Sequence, residues 1–446
     1  MKTLRFPHPL VLLTGFILLA CLLSYLLPAG VFERHADAAT GRDIVVPGSY
    51  HRVPPTPVSP LQAIVDIPRG LGEAASVIFL VFLAGGAFTV VDHTGALRRG
   101  VDWLLAKFRG REAVVIPIIS VLFATMGALE NMQEEIVPLI PVLLVLMRRI
   151  GYPAITAAAV SIGSAAVGAA FSPLNPFQVG IAQKLAQLPL LSGGGFRLLF
   201  LALALAIWIG GTVRFALRHR VAPEADADAE TSGQGGRHGI VLALLFVTFA
   251  FFAYGVLKLG WEFEQMAALF FALGVAAGLI GGLGLTGTAE SFIVGFRDMA
   301  FSAMLIGFAR AIFVVLEQGQ IVDTIVNAMS APLAGLPVAL SALGMVGVHT
   351  ALHLPVPSVS GQAVLTMPLL VPLSDLIGLS RQVTVLAYQY GAGLCELITP
   401  TNGALVAIVA GCGVRFDQWW RFVLPLYLAL LALAVVAIVV GIAVGI

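Results

Sequence analysis

Five charged residues stand inside long apolar stretches of this chain: Glu130, Glu134, Glu135, Glu396 and Arg310. Ionised groups at membrane depth are costly and mark binding sites or ion paths. Glu130 and Glu134 are four positions apart and would share one face of a helix. With Asn131 and Glu135 they form an acidic tip, Glu130-Asn131-Met132-Gln133-Glu134-Glu135. Such carboxylates can bind a cationic substrate group, carry a proton or help hold Na+; at a tip they can also simply face water. Arg310 needs a carboxylate, supplied by a substrate, Glu396 or Glu317. His349 and His353, also four apart, suit proton-linked or hydrogen-bonding work, or plain packing. No His-Glu-x-x-His pattern or nearby cysteine makes them a metal site. Ser358, Ser360, Gly361 and Gln362 form a small polar tip where backbone can approach a ligand.

Two other sets of residues repeat. Ser172-Pro173-Leu174-Asn175 and Thr399-Pro400-Thr401-Asn402 both read hydroxyl-Pro-x-Asn and lie 227 positions apart (402 minus 175). A proline among polar residues at membrane depth breaks a helix, and the freed backbone groups are tolerated where they line a protein-enclosed cavity. Matched breaks in two halves point to a transporter's binding site. Carbonyls together with Ser172, Asn175, Thr399 and Asn402 suit Na+, and Thr401 adds another hydroxyl. N-terminal N–H groups suit a carboxylate. A kink closed by local side-chain bonds is the alternative reading of each break.

These residues need a membrane framework. Of the 446 residues, 59% are hydrophobic and 11% charged, with mean hydropathy +0.97; soluble chains carry roughly 25% charged residues. An all-α polytopic membrane protein is expected. Apolar spans predict crossings at 9–28, 76–93, 197–215, 239–258, 264–283, 300–317 and 419–444, and broken crossings at 153–188 and 382–412. Lys2 and Arg5 ahead of the first span imitate a signal peptide, but the apolar run is long and no small-residue cleavage site follows directly, so a retained helix is expected. Regions 113–149 and 332–374 each read as two helical pieces around a polar tip, hence as re-entrant hairpins.

Positive charge sets the orientation. Arg98, Arg99, Lys107, Arg109 and Arg111 precede the first hairpin and Arg148 and Arg149 follow it, so both its ends are expected in the cytoplasm. Arg214, Arg218, Arg220 and Arg237 place the low-complexity 216–238 linker there too. The N-terminus is then cytoplasmic, the 29–75 loop and the C-terminus outside, and the second hairpin enters from the side opposite to the first. Two inverted repeats follow, 76–215 and 299–446, each ordered helix, hairpin, broken helix, helix. Segment 1–75 supplies a first helix and external loop, and 239–298 supplies scaffold helices. Gly95 and Gly319 after matching helices, and Pro141 and Pro368 in matching arms, keep the register.

Net charge +1 carries no nucleic-acid signal, and Cys21, Cys395 and Cys412 sit in apolar segments as core residues. No phosphate-binding glycine loop, nucleophile elbow, metal-ligand spacing or nucleotide-binding domain is found, so neither an enzyme nor a cofactor is expected. Pro28-Ala29-Gly30, Gly85-Gly86-Ala87-Phe88, Asn175-Pro176-Phe177, Leu190 to Gly193 before Arg197, Ser358 to Ala363, Met367-Pro368 and Arg381-Gln382 occur in order along nearly the whole chain. With them the chain resembles the YfcC/DcuC-type carriers (C4-dicarboxylate anaerobic carrier-like) of the ion-transporter superfamily. It departs at Gly391-Ala392-Gly393, where relatives often carry Gly-Asp-Gly. The resemblance implies a secondary carrier of the inner membrane, often a homodimer, whose hairpin tips meet broken helices and which carries basic amino acids or C4-dicarboxylates. Four carboxylates against one arginine favour a basic amino acid of arginine or ornithine type, carried or exchanged, with Na+ or H+ as coupling ion. A C4-dicarboxylate or other carboxylate substrate is the alternative; another is a Na+/H+ channel or exchanger without organic substrate.

Overall fold

The computed structural model describes residues 8–37, 42–97, 99–100, 112–223, 235–259 and 261–446. Lys2, Arg5, Arg98, Lys107, Arg109, Arg111 and the centre of the linker (224–234) lie outside these residues. In chain order, α1 (Pro9–Leu26) leads to β1 (Gly30–Val31), β2 (Arg34–Asp37), β3 (Arg42–Val45) and β4 (His51–Arg52). There follow α2 (Pro60–Glu73), α3 (Ala75–His93), α4 (Val115–Glu130), α5 (Ile140–Arg149), α6 (Ile155–Ala170), α7 (Ile181–Leu185) and α8 (Gly194–Arg218). The rest is α9 (Gly235–Leu259), α10 (Phe263–Gly281), α11 (Gly284–Gln318), α12 (Val322–Ser330), α13 (Val338–Leu352), α14 (Val359–Ile377), α15 (Arg381–Cys395), α16 (Gly403–Gly411) and α17 (Phe416–Val444).

Eight helices among the described residues are long and apolar enough to cross a bilayer. Six of them are α1, α3, α8, α10, α11 and α17; the other two are the hairpin arms Glu112–Leu129 and Val359–Ile377. The chain is a helical, multi-pass membrane protein. Its two halves carry the same series of elements: α3, the α4/α5 pair, α6 and its continuation, and α8; then α11, the α13/α14 pair, α15 with α16, and α17.

Helices in lipid gain little by hiding apolar surface from one another, so close approach through small residues holds them together. α4 and α6 meet in this way twice. A Cβ on Gly127 would collide with the carbonyl of Ala165, and one on Gly168 with the carbonyl of Ala124. In the second half, a Cβ on Gly391 of α15 would lie 2.7 Å from the carbonyl of Val346 in α13. The last helix of each series then pins the broken helix with a buried indole. Trp208 Nε1 donates to the Ala159 carbonyl at 3.0 Å, and Trp419 Nε1 to that of Leu397 at 2.8 Å.

The structure corrects three expectations. First, the predicted external loop is partly ordered: β1 pairs antiparallel with β4 and β2 with β3, and Pro60–Glu73 is helical. Ser59 caps that helix by accepting from the N–H of Gln62 (3.1 Å), and Pro60 stands at its first position. Its apolar face is narrow and Pro68 interrupts it, which hid it from a search for apolar spans. Second, the predicted 300–317 crossing is the end of a helix of 35 residues; at about 1.5 Å per residue it outreaches a ~30 Å hydrocarbon core. Third, the Gly95–Gly319 match is imperfect. Gly95 is left-handed (φ 78°), whereas in the second half the left-handed residue is Gln320 (φ 49°).

Candidate functional site

Both predicted breaks are present. At the first, α6 stops at Ala170 and helix resumes at Pro176. The Ser172 hydroxyl donates to the Ala128 carbonyl (2.6 Å) and accepts from the N–H groups of Leu174 and Asn175 (3.0 and 2.9 Å). Asn175 donates from Nδ2 to the Gly127 carbonyl (2.8 Å), and its Oδ1 accepts from the N–H groups of Phe177 and Gln178 (2.9 Å each). The motif is thus an N-cap whose side chains also serve the carbonyls of Gly127 and Ala128 at the C-terminal end of α4, where intrahelical donors run out.

The second break runs from Glu396 to Asn402. Thr399 donates its hydroxyl back to the Cys395 carbonyl (2.8 Å), and Asn402 caps α16 by accepting from Leu405 N–H (3.0 Å). The outward contacts differ from those of the first break. Thr401 donates to the Leu354 carbonyl (2.8 Å) near the second tip, and Asn402 Nδ2 donates to Gln133 Oε1 (3.0 Å) in the first tip. One break therefore touches both tips.

A cavity of about 960 Å³ opens at this junction. The first tip contributes Asn131, Gln133 and Glu134, the second Ser358 to Gly361, and the second break Glu396 and Thr401 to Ala404. Phe177 and Gln178 enter from beyond the first break, and α11 supplies a wall with Arg310, Phe313 and Glu317. Asn131 takes the left-handed conformation (φ 55°) that ends α4, and its Oδ1 accepts from Gln178 Nε2 (2.6 Å).

Charge in the cavity is unbalanced. Arg310 pairs with Glu73 (3.0 Å) and Arg34 with Asp323 (2.6 Å). Glu134, Glu317 and Glu396 have no basic partner among the described residues. Glu396 is 3% exposed, and its Oε2 has no hydrogen-bond partner. Gln133 lies against this carboxyl, and Glu134 is near enough to repel it. Gln178 Oε1 is likewise buried without a donor. Opposite in sign are the N-terminal ends of two helices that line the cavity: no acceptor among the described residues takes the N–H groups of Val359 and Ser360 at α14 or of Gly403 and Ala404 at α16. The cavity thus offers oxygen acceptors to a cation and N–H donors to an anion.

Of the residues predicted from sequence, Asn131, Glu134, Arg310, Ser358, Ser360, Glu396, Thr401 and Asn402 line this cavity. Ser172, Asn175, Thr399, Glu135, Gln362, His349 and His353 do not. Glu130 ends α4, and its side chain lies outside the described residues. Glu135 is turned into its own tip, accepting from Gln133 N–H (3.1 Å). His349 and His353 are fully buried between α13 and α14, bridged by Gln362 through its Oε1 to His349 Nδ1 (3.0 Å) and its Nε2 to His353 Nδ1 (2.9 Å). The expected partner of Arg310 is corrected: Glu73 on the unforeseen α2 takes it, not Glu396 or Glu317, and its side chain is 46% exposed rather than buried. Of the oxygens expected near Na+, those of Ser172, Asn175 and Asn402 accept from backbone N–H groups, and the Thr399 hydroxyl donates to the Cys395 carbonyl.

Sequence reading missed four residues. Gln133 joins the first tip to the second break, and Gln178 joins the first tip to the first break. Asn175-Pro176-Phe177-Gln178 has the Asn-x-x-Gln spacing of a capping box, a signal that singles out Gln178. Arg197 is 1% exposed and donates to the Ser192 carbonyl (2.8 Å), Gln382 Oε1 (3.2 Å) and Gln389 Oε1 (3.1 Å). Gln389 in turn donates to the Ser172 carbonyl (2.7 Å), which ties α8 through α15 to the first break.

Known proteins bear on this arrangement. Residues 6–443 match the family described as C4-dicarboxylate anaerobic carrier (DcuC). A protein of Escherichia coli K12 named "Putative basic amino acid antiporter YfcC" is 33% identical, over 93% of this chain and 92% of its own. An uncharacterised protein of Haemophilus influenzae is 30% identical, over 98% of this chain and 97% of its own. Among solved structures, the Alcanivorax borkumensis YdaH transporter aligns over 99% of both chains with a TM-score of 0.43 and 16% identity. A membrane-embedded chain matched from end to end by one carrier family belongs to that family: the protein is a transporter of the C4-dicarboxylate anaerobic carrier (DcuC) family.

Proposed function

We propose that the protein is a secondary active transporter, carrier or antiporter, for a small basic amino acid of arginine or ornithine type. The Glu396 carboxyl carries this reading. It is buried, has an oxygen without a partner, and faces the cavity beside Glu134. Burying an unpaired carboxylate costs several kcal/mol, and an ammonium or guanidinium group between Glu134 and Glu396 would offset that cost. The same substrate's α-carboxylate would rest on the N–H groups of Gly403 and Ala404 or of Ser360, since Arg310 is already engaged by Glu73. The name of the Escherichia coli relative, "Putative basic amino acid antiporter YfcC", supports a basic amino acid.

Two adjacent carboxylates also suit coupling to H+, because a substrate cation and a proton would compete for the same oxygens. In this reading the two element series face opposite sides of an inner membrane, as the arginine distribution requires. The cavity extends to Gly30, Val31 and Arg34 of the 29–75 segment, so in this reading it opens outward.

The test is exchange in proteoliposomes. Labelled arginine should be taken up against internal arginine or ornithine, and Glu396→Gln and Glu134→Gln should each lower it by about 100-fold. Uptake that survives both substitutions unchanged would sink the cation site. A C4-dicarboxylate reading has one observation of its own: two helix N-termini face the cavity, enough for two carboxylates. It requires fumarate or succinate, and not arginine, to drive exchange.

A further inference from the structure

A second cavity, of about 1100 Å³, lies far in sequence from the tips, between the C-terminal turns of α8 and the N-terminal turns of α17. Its floor is apolar, made by Phe215, Phe422, Pro425 and Leu426, and its rim carries Arg214, Arg218, His219 and Arg421. Among the described residues, no carboxylate pairs with Arg214 or Arg218. Asp417 is already held by Arg415 through two bonds of 2.8 and 2.6 Å, and Arg421 reaches it only at 3.6 Å. Arg214, Arg218 and Arg421 therefore converge on one groove with little to offset their mutual repulsion.

The groove sits where two membrane helices end, in the arginine-rich part of the bundle that also holds Arg220 and Arg415. Along the same two helices, α8 and α17, exposed apolar side chains include Leu203 (44%), Leu217 (47%) and Leu428 (54%). Guanidinium forks match phosphate oxygens, and basic pockets between membrane helices are suited to anionic headgroups. A free phosphate would use the rim and leave the apolar floor uncovered. A lipid uses both.

We propose that this groove binds an anionic phospholipid, with its phosphate among Arg214, Arg218 and Arg421 and its acyl chains along α8 and α17. The lipid would then bridge the last helices of the two halves. The site is independent of the transport reading.

The experiment uses the full chain, delipidated in detergent. Retained lipid is counted by native mass spectrometry, and the unfolding midpoint is followed during titration with dioleoylphosphatidylglycerol, dioleoylphosphatidylcholine or inorganic phosphate. Phosphatidylglycerol should be retained and should raise the midpoint, with phosphatidylcholine and phosphate having little effect. Arg214→Gln, Arg218→Gln and Arg421→Gln should each weaken phosphatidylglycerol binding by about fivefold, and the triple Gln variant should lose it, while the triple Lys variant keeps most of it. If the triple Gln variant does not fold, the three single variants decide. Equal retention of the two lipids, unchanged phosphatidylglycerol binding in the Gln variants, or a midpoint shift reproduced by phosphate alone would each overturn the proposal.

Discussion

The two breaks share a hydroxyl-Pro-x-Asn sequence, and each ends in an asparagine that caps the helix after it. Their surroundings differ. At the first, the side-chain polar atoms of Ser172 and Asn175 are spent on backbone, and the contacts fasten α6 to the end of α4. At the second, Asn402 and Thr401 reach across to both tips, Gly403 and Ala404 at the start of α16 line the cavity, and Glu396 stands there with one oxygen unpartnered. One motif thus makes a brace in the first half and a cavity wall in the second. A repeated sequence fixes the backbone device; the neighbouring residues decide what the device is used for.

The sharpest way to break this comparison is to remove charge at one break and hydrogen bonds at the other. Glu396→Gln keeps the shape of the side chain and removes its charge. Arginine exchange in proteoliposomes should fall by about 100-fold, the order expected for losing one partner of a buried charge pair, while the unfolding midpoint stays level or rises because an unpaired buried carboxylate is gone. Full activity in this variant would return the second break to the status of the first.

Asn175→Ala should do the reverse. It removes a cap, worth about 1 kcal/mol, and strands the carbonyl of Gly127 with one bond fewer, for a total near 2 kcal/mol of stability. Thermal unfolding should shift down, while KM for substrate, measured on the surviving folded protein, stays within about twofold. A large KM change with unaltered stability would mean that the first break also touches substrate.

The matching substitution Asn402→Ala removes the cap and the buried bond to Gln133, for a total of about 2 kcal/mol as well, yet should lower transport more than Asn175→Ala does. Freed from Asn402, Gln133 no longer holds its place against Glu396. A several-fold rise in KM, against little change for Asn175→Ala, is the expected result; the same KM response at the two asparagines would dissolve the distinction between the breaks.

Much of this was legible in the sequence, for reasons that can be named. Hydropathy finds helices that lipid must surround, so α1, α3, α8, α10 and α17 were placed within a few residues of their predicted spans. Both breaks and both tips were found because proline and clustered polar residues are conspicuous among apolar ones. Helix α2 was not, since it packs through a narrow face in which Gly70 approaches the Ala311 backbone, and such a face barely raises mean hydropathy. Partners were harder still. A sequence shows that Arg310 needs a carboxylate, but the choice of Glu73 over Glu396 depends on a helix that was read as loop. Gln133, Gln178 and Gln389 act only through contacts between distant segments, and an uncharged amide gives no warning in an apolar stretch.

Arg310 gives the smallest predicted effect and the finest test of the comparison. It lines the same cavity as Glu396, but it is half exposed, pairs with Glu73 at 3.0 Å and lies over the ring of Phe313 at 5.2 Å. Half-exposed ion pairs contribute about 0–1 kcal/mol, so Arg310→Ala should move the unfolding midpoint little. If the substrate carboxylate rests on the N–H groups at the second break, KM for arginine should change less than about fivefold, as expected for 1 kcal/mol or less. A fall in exchange comparable to that of Glu396→Gln would instead make Arg310 the carboxylate's ligand. The helix ends at Gly403 and Ser360 would then be structural, and the chemical asymmetry between the two breaks would narrow to Glu396 alone.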